Sequence, residues 1–218
     1  MKRVYCICGL GSDERIFSRL NWFGADVHFI QWLMPEHGET LTHYAQRMGE
    51  QIEGDDITLV GVSFGGIMSI EIAKLIKIEK VILISSIPTR RDMPAWMKTC
   101  GKFKLDSLIP RKQLHSLRPM KLFTPVENYF LGAYTEEEKK LAGEYREKVD
   151  PGYLKWSIHN ILNWENDWLP EKIYHLHGSD DKIFPHSKLK PTHLIPDAGH
   201  FLVYQRAEEV SKILKDII

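Results

Sequence analysis

The chain has 218 residues, and 29 Lys and Arg residues balance 29 Asp and Glu residues, so its formal net charge is zero. This length can bury a substantial single core, and we expect one domain over residues 1–218. The neutral balance argues against nucleic acid as a main partner, because phosphate binding depends on clustered cations. No run approaches the roughly 20 apolar residues of a membrane span, so we expect no stable membrane insertion and a cytoplasmic protein.

Strands and helices are predicted to alternate in the first part of the chain. Val4–Cys8 predicts a strand, and Gly9-Leu10-Gly11-Ser12 is the turn that ends it. Basic Lys2 and Arg3 precede this run, as they would in a leader peptide. The run is short and lacks a small-residue cleavage site, so we interpret it as the first core strand. The following segments predict a helix at Ser12–Leu20, a strand at Val27–Trp32 and a helix at Thr42–Ile52.

The pentapeptide Gly61-Val62-Ser63-Phe64-Gly65 joins an apolar run, Ile57–Val60, to a helix-like segment, Ile67–Ile76. A serine in this context lies on a sharp turn that exposes its hydroxyl at the end of a strand. The turn needs strained backbone angles at the serine and leaves no room for side chains two residues away, so both flanks must be glycine. The first helical turn can direct N–H groups at a developing oxyanion. The pattern therefore predicts a nucleophilic Ser63.

Two later segments place a carboxylate and a histidine after predicted strands. His177-Gly178-Ser179-Asp180-Asp181 ends the strand at 173–177, and a short strand at 192–195 leads into a turn that presents His200. A carboxylate just past a strand end can reach the same edge of the sheet as Ser63. Serine needs an adjacent base, neutral histidine can accept and return a proton, and a carboxylate orients that histidine.

The order of the predicted strands and helices indicates what kind of sheet the chain forms. Further elements are expected at Val81–Ser85 (strand) and Ala207–Ile218 (helix). The alternation implies a parallel sheet with helices on both faces. Ligands of such sheets bind outside the carboxyl ends of the strands. The link from Asp181 to Thr192 is short for a parallel crossover and leaves room only for an abbreviated helix.

The order serine, acid, histidine and the motifs around these residues resemble the α/β-hydrolase superfamily, over nearly the whole chain apart from its middle third. The resemblance implies an α/β fold: a three-layer sandwich with a mostly parallel, trimmed sheet and a helical cap. It implies that Ser63 is the nucleophile, His200 the general base and Asp181 the acid. Asp181 matches the family pattern His-Gly-x-x-Asp-x-x-x-Pro, with Pro185 in register. We expect Asp180 to cap the loop, and Asp197 is poorly placed to orient His200.

The resemblance also implies an oxyanion hole made by the backbone N–H groups of Leu10 and Phe64, with Gly11 as the alternative to Leu10. The family often has His-Gly where this chain has Cys8-Gly9. Because the donors are backbone groups, this departure is not expected to abolish the hole.

Residues of about 88–170 are predicted to form the helical cap, and 1–87 with 171–218 the core. Thr135-Glu136-Glu137-Glu138 is a capping box that opens a charged helix to about Val149. Asp150-Pro151 starts a second helix, which ends near Trp164. The cap is rich in aromatic residues; most of these are expected to form its own core, and a minority to line an apolar pocket.

The leading hypothesis is a serine hydrolase that cleaves a small carboxylic ester, or a thioester, through an acyl-enzyme on Ser63. The alternatives are a C–C hydrolase or hydroxynitrile lyase on this fold, and a non-turnover receptor for a small ligand. The expected partner is a small-molecule acyl substrate, with no metal and no organic cofactor. His175-x-His177 could face a metal ion from one strand, but no third ligand stands at a suggestive spacing.

Overall fold

The computed structural model describes residues 2–104 and 123–218. Six parallel strands form one sheet in the order β2-β1-β3-β4-β5-β6. The strands are β1 (Arg3–Ile7), β2 (Asp26–Phe29), β3 (Ile57–Val62), β4 (Lys80–Ile84), β5 (Ile173–Gly178) and β6 (His193–Ile195). The two central strands, β3 and β4, are mostly apolar and are buried along nearly their whole length, as expected where helices cover both faces of a parallel sheet.

Helices cover both faces of this sheet. They are α1 (Leu41–Gly49), α2 (Phe64–Ala73), α3 (Ala95–Lys102), α4 (Thr124–Leu131), α5 (Glu136–Lys148), α6 (Pro151–Leu162), α7 (Leu202–Gln205) and α8 (Ala207–Ile217). Alternate residues of β1 enter different clusters: Cys6 packs with residues of α5, α7 and α8, and Ile7 packs with residues of α1, α2 and α6. The predicted three-layer fold is therefore confirmed.

The predicted helix at Ser12–Leu20 is wrong. The structure has a single 3-10 turn at Glu14–Phe17. The N–H groups of Ser18 and Leu20 donate to carbonyls three residues back, Arg15 and Phe17, at 3.1 and 3.0 Å. This spacing is that of a 3-10 turn and does not propagate as an α-helix. The link between β5 and β6 carries only a 3-10 turn at His186–Lys188, in agreement with the predicted abbreviated helix.

Helices α3 to α6 occupy the chain between β4 and β5, where the sequence predicts a cap. The capping box of α5 is present: the Thr135 hydroxyl accepts from the Glu138 N–H at 3.3 Å, and the Glu138 carboxylate accepts from the Thr135 N–H at 3.0 Å. At the start of α6 the Asp150 carboxylate accepts from the N–H groups of Gly152 and Tyr153, at 2.7 and 2.9 Å, and Pro151 is the first residue of the helix. Residues 105–122 of the predicted cap lie outside the described residues. Within the described ranges, no helix is long and apolar enough to cross a membrane.

Candidate active site

Ser63 lies at the junction of β3 and α2, with φ 53° and ψ −118°. This is an unfavourable backbone conformation for a residue with a side chain, and surrounding contacts must hold it. The Ser63 N–H donates to the Ile84 carbonyl at 3.0 Å, and the Ser63 carbonyl accepts from the Gly66 N–H at 2.9 Å. That carbonyl also accepts from the Ser86 hydroxyl at 2.7 Å. These bonds fix the turn and leave the Ser63 side chain outside the carboxyl end of β3.

The two flanking glycines let the turn pack against its neighbours. A Cβ atom at Gly61 would overlap the Gly65 carbonyl, and one at Gly65 would overlap the carbonyls of Ile7 and Cys8 at the end of β1. These obstacles are backbone atoms, which cannot move aside as a flexible side chain can. The close approach brings the start of α2 against the end of β1.

Gly65→Ala is therefore expected to destabilise the fold by about 3 kcal/mol or more, because the added methyl overpacks rigid backbone. Gly143→Ala is the matched control. Gly143 lies inside α5, where an added Cβ meets only the end of Arg146 at 4.0 Å. This substitution is expected to stabilise the protein by about 0.5–1 kcal/mol through helix propensity. Urea unfolding of both variants measures the difference; equal effects would contradict the packing account.

The structure brings Ser63, His200 and Asp181 into one hydrogen-bonded line. His200 Nε2 lies 2.9 Å from Ser63 Oγ, and His200 Nδ1 lies 2.8 Å from Asp181 Oδ2. Both His200 and Asp181 are buried. Since an ionised carboxylate only accepts hydrogen bonds, Nδ1 carries the proton and the Nε2 lone pair faces the serine hydroxyl. This is the arrangement in which a histidine can take the proton of a serine.

Asp181 is held on both carboxylate oxygens. Its Oδ1 accepts from the N–H groups of Ile183 and Phe184, each at 2.9 Å, while Oδ2 faces His200. Burial acts to raise the pKa of Asp181. The charge and hydrogen bond of His200, with the nearby His177, outweigh burial and hold this pKa below its ordinary value. The carboxylate therefore stays ionised at neutral pH and fixes the His200 tautomer.

The two neighbouring carboxylates face elsewhere. Asp180 is bonded to Lys182 at 2.6 Å and to the Tyr134 hydroxyl at 3.1 Å. It therefore joins its loop to the start of α5, whereas the sequence predicts only a loop cap. Asp197 is exposed and has φ 53°, and its N–H donates to the Ser179 hydroxyl at 2.9 Å. Asp181 is the carboxylate that contacts His200.

The turn after β1 lies beside Ser63. A Cβ atom at Gly9 would come within 3.5 Å of Ser63 Cβ, and the Gly9 carbonyl accepts from the N–H and hydroxyl of Ser12. Leu10 follows in this turn, and Phe64 is the first residue of α2, where helical N–H groups have no partner within the helix. Neither N–H donates to another residue in the described ranges. Both remain the predicted oxyanion donors.

Behind Asp181 lies a buried histidine pair whose hydrogen bonds the sequence does not predict. His177 Nε2 lies 2.7 Å from the Phe184 carbonyl, which can only accept, so Nε2 carries the proton. His177 Nδ1 then accepts from His175 Nε2 at 3.1 Å. The same His177 Nε2 lies 3.5 Å from Asp181 Oδ2. The chain of bonds ties the loop of Asp181 to β5. The alternation of His175 and His177 on β5 was the available signal, but it suggested a metal pair.

This pair predicts a loss of stability in acid. Burial, with the neighbouring His177, lowers the pKa of His175 from 6.5 to about 3. The folded state therefore resists a proton that the unfolded chain accepts, so stability is full above pH 6.5 and falls as the pH drops towards 3. The expected loss is ~3 kcal/mol by about pH 4.5, at about 1.4 kcal/mol per pH unit.

Urea unfolding of wild type and His175→Gln between about pH 7 and pH 4.5 tests this expectation. The glutamine keeps a donor for His177 but cannot take up the proton, so its stability should fall less steeply. His37→Gln, at an exposed position, is the matched control and should follow the wild type. If the stability of His175→Gln falls with pH as steeply as that of wild type, the loss of stability in acid does not come from His175.

One group of side chains in the described residues has metal-ligand spacing: Glu36, Glu39 and His43. The Arg47 guanidinium already binds both Glu39 oxygens, at 2.8 and 2.9 Å. His43 Nδ1 lies 2.7 Å from the same carboxylate. A cation thus already occupies the position that a metal ion would take, and this group closes the loop before α1.

A parallel sheet with a nucleophile turn after a central strand defines the α/β-hydrolase class, and solved structures share this fold. An esterase from Thermogutta terrifontis is 15% identical, with a TM-score of 0.69, covering 100% of this chain and 89% of that chain. A bromoperoxidase from Bacillus anthracis is 19% identical, with a TM-score of 0.69, covering 98% and 90%. MenH from S. aureus is 17% identical, with a TM-score of 0.69, covering 99% and 92%.

A sequence model described as "Alpha/beta hydrolase family" matches residues 4–213, and the chain belongs to this family. No curated protein sequence matches the chain.

Proposed function

We propose that the protein is a serine hydrolase that cleaves a small carboxylic ester through an acyl-enzyme on Ser63. The observation that carries the proposal is the contact of 2.9 Å between Ser63 Oγ and His200 Nε2, with Asp181 bonded to the far side of the imidazole at 2.8 Å. Nucleophile, base and orienting carboxylate are the three groups that acyl transfer requires.

In the first step, Ser63 Oγ attacks the ester carbonyl carbon while His200 Nε2 takes the hydroxyl proton. The negative charge that develops on the carbonyl oxygen is stabilised by the N–H groups of Leu10 and Phe64. Asp181 stabilises the imidazolium that forms. The tetrahedral intermediate collapses when the C–O bond to the alcohol breaks and His200 returns the proton to the leaving oxygen. An ester thus remains on Ser63.

In the second step, a water molecule replaces the alcohol. His200 takes a proton from this water as its oxygen attacks the acyl carbon. The new intermediate collapses with cleavage of the bond to Ser63 Oγ, which recovers its proton from His200. The products are a carboxylic acid and the free enzyme. The same groups can cleave a thioester, so this bond is part of the proposal.

Two of the similar solved structures are described as thermophilic esterases, one of them 19% identical with a TM-score of 0.63. Their descriptions support an ester over a C–C bond or a cyanohydrin as the substrate. A receptor without turnover is disfavoured by the short contact between His200 and Ser63, because ligand binding alone does not require an activated hydroxyl.

We further propose that residues 88–170 cap a core formed by 1–87 and 171–218. Trp156 of α6 packs edge-on against Phe64, the residue after Ser63, with ring centroids 6.5 Å apart. The Trp156 indole N–H donates to the Glu39 carbonyl at 2.9 Å. These contacts support a cap whose aromatic residues enclose a small acyl group next to the nucleophile.

Rapid mixing with p-nitrophenyl acetate tests the proposed function. We expect a burst of p-nitrophenol of about one equivalent, followed by slower turnover, because this activated ester acylates Ser63 faster than water hydrolyses the acyl-enzyme. Ser63→Ala should show neither phase. Linear release without a burst across several acyl lengths, combined with an unchanged rate in Ser63→Ala, would contradict the acyl-enzyme.

A further inference from the structure

Five aromatic side chains pack together around Phe64, the residue that follows Ser63. We call this cluster the aromatic box; its members are Trp32, Tyr44, Phe64, Tyr153 and Trp156. Trp32 stacks on Phe64, with ring centroids 5.1 Å apart and an interplanar angle of 2°. Tyr153 packs against Trp32 at 5.7 Å, and Trp156 packs against Tyr44 at 4.3 Å. Since the Phe64 N–H is a proposed oxyanion donor, the box borders the position of the reacting acyl group.

The polar atoms of this region fall into two sets. The Trp156 indole N–H donates to the Glu39 carbonyl at 2.9 Å, and the Tyr44 hydroxyl donates to the Leu33 carbonyl at 2.7 Å. By contrast, three buried polar atoms have no hydrogen-bond partner in the part of the chain that the structure describes. They are Trp32 Nε1, the Tyr153 hydroxyl and the Ser157 hydroxyl. Tyr153 and Ser157 lie one turn apart on α6, and both residues are buried.

Unpaired polar atoms at three neighbouring positions are costly for the fold. Each buried donor without a partner costs about 1–3 kcal/mol, and phenylalanine at 153 with alanine at 157 would avoid this cost. Burial raises the pKa of Tyr153, the Tyr44 hydroxyl and the Cys8 thiol act in the same direction, and the neighbouring Ser157 hydroxyl, one turn along α6, acts to lower this pKa. Tyr153 is therefore a neutral donor, and it lies near the strand end that carries the Gly9-Leu10 turn. A ligand that forms hydrogen bonds with these polar groups would offset the free-energy cost of burying them and would explain why they are present.

The chemistry of the three atoms restricts the ligand. The indole N–H can only donate, and the two hydroxyls can donate as well as accept, so the common partner is an oxygen acceptor. Arg47 packs on the Tyr44 ring at 5.9 Å, but its guanidinium is engaged by the Glu39 carboxylate. Among the described residues, the box therefore offers no uncommitted positive charge for a carboxylate.

We propose that Trp32, Tyr153 and Ser157 form a polar subsite that binds an uncharged oxygen, a ketone or hydroxyl, on the acyl group of the substrate. This inference rests on the proposed function, because it places the acyl group beside Phe64. It narrows the substrate class from small esters in general to esters of oxo or hydroxy acids.

The test compares p-nitrophenyl pentanoate with the p-nitrophenyl esters of 3-hydroxypentanoic acid and 4-oxopentanoic acid. We expect wild type to favour at least one oxygen-bearing ester in kcat/KM by about tenfold, the contribution of one hydrogen bond to a buried group. Tyr153→Phe and Ser157→Ala should each reduce this preference towards unity. Their thermal midpoints should stay equal to or rise above that of wild type, because each change removes an unpaired polar group.

Tyr145→Phe provides the matched control. The Tyr145 hydroxyl is also buried and has no hydrogen-bond partner among the described residues, but the side chain packs in the cluster that contains Cys6, on the other face of the sheet. This variant should keep the wild-type preference for oxygen-bearing esters.

Several results would overturn the subsite. They are a wild-type preference near unity at every oxygen position, an equal loss of preference in Tyr145→Phe, or a thermal midpoint of Tyr153→Phe several degrees below wild type. The last result would show that the hydroxyl has a structural partner. Labelling by a fluorophosphonate distinguishes failure of the subsite proposal from failure of the proposed function. A labelled wild type without discrimination overturns the subsite alone, and an unlabelled wild type overturns the proposed function together with it.

Discussion

Replacing Ser63 with alanine is expected to reduce kcat on any ester that the protein cleaves by at least about 10⁴-fold. The substitution removes the atom that forms the acyl-enzyme, and enzymes of this chemistry lose this much or more when a triad member is removed. The fold should survive, because the turn is held by backbone atoms of Ser63 and by the Ser86 hydroxyl, none of which changes.

The comparison uses purified Ser63→Ala and the exposed-site control Ser18→Ala, with circular dichroism to establish that both are folded. Ser18→Ala should keep the wild-type rate within about twofold, as expected for a surface substitution away from the site. A folded Ser63→Ala variant with more than a tenth of the wild-type kcat would contradict a nucleophilic role for Ser63.

Asp181→Asn is expected to reduce kcat by about 10⁴-fold, the loss expected when an orienting carboxylate becomes an amide. The amide removes the charge that stabilises the imidazolium. It can also present an N–H to His200 Nδ1, which then favours the tautomer with its proton facing Ser63. Asp180→Asn is a matched control next to it in sequence. Asp180 bonds to Tyr134 and Lys182 and not to His200, so its loss should cost no more than a few fold.

Steady-state kinetics of the two variants on one ester distinguish the adjacent carboxylates. Both proteins should have similar circular dichroism spectra. If Asp180→Asn loses activity as severely as Asp181→Asn, the loop as a whole and not the Asp181 carboxylate would be responsible. If Asp181→Asn retains more than a tenth of the wild-type kcat, His200 does not depend on this carboxylate.

The proximity of Ser63, Asp181 and His200 could be predicted from sequence because each lies in the turn that follows a predicted strand. Parallel strands place their carboxyl ends on one edge, so three local patterns converge without knowledge of the intervening chain. The strain at Ser63 was predictable from the local Gly-x-Ser-x-Gly pattern, whereas the obstacle that requires Gly65 lies at the distant end of β1. The catalytic roles of these residues remain predictions that the experiments above test.

The aromatic box could not be predicted, because Trp32, Phe64 and Tyr153 are distant in sequence and their contacts depend on how α6 packs on the core. Tyr153 and Ser157 show no sign in the sequence that their hydroxyls lack partners. The sequence predicts an α-helix where the structure has a 3-10 turn at Glu14–Phe17, because composition does not reveal whether each N–H donates to the carbonyl three or four residues back. The hydrogen bond between His177 and the Phe184 carbonyl could not be predicted either, because it depends on the conformation of the loop that follows β5.

The most direct test of the central claim is intact-mass analysis after treatment with a fluorophosphonate, with wild type, Ser63→Ala and His200→Ala compared. The account predicts one adduct on wild type and none on either variant, because only a serine paired with its base reacts readily. Absence of an adduct on folded wild type, or an adduct of equal yield on Ser63→Ala, would contradict an activated nucleophile at this position.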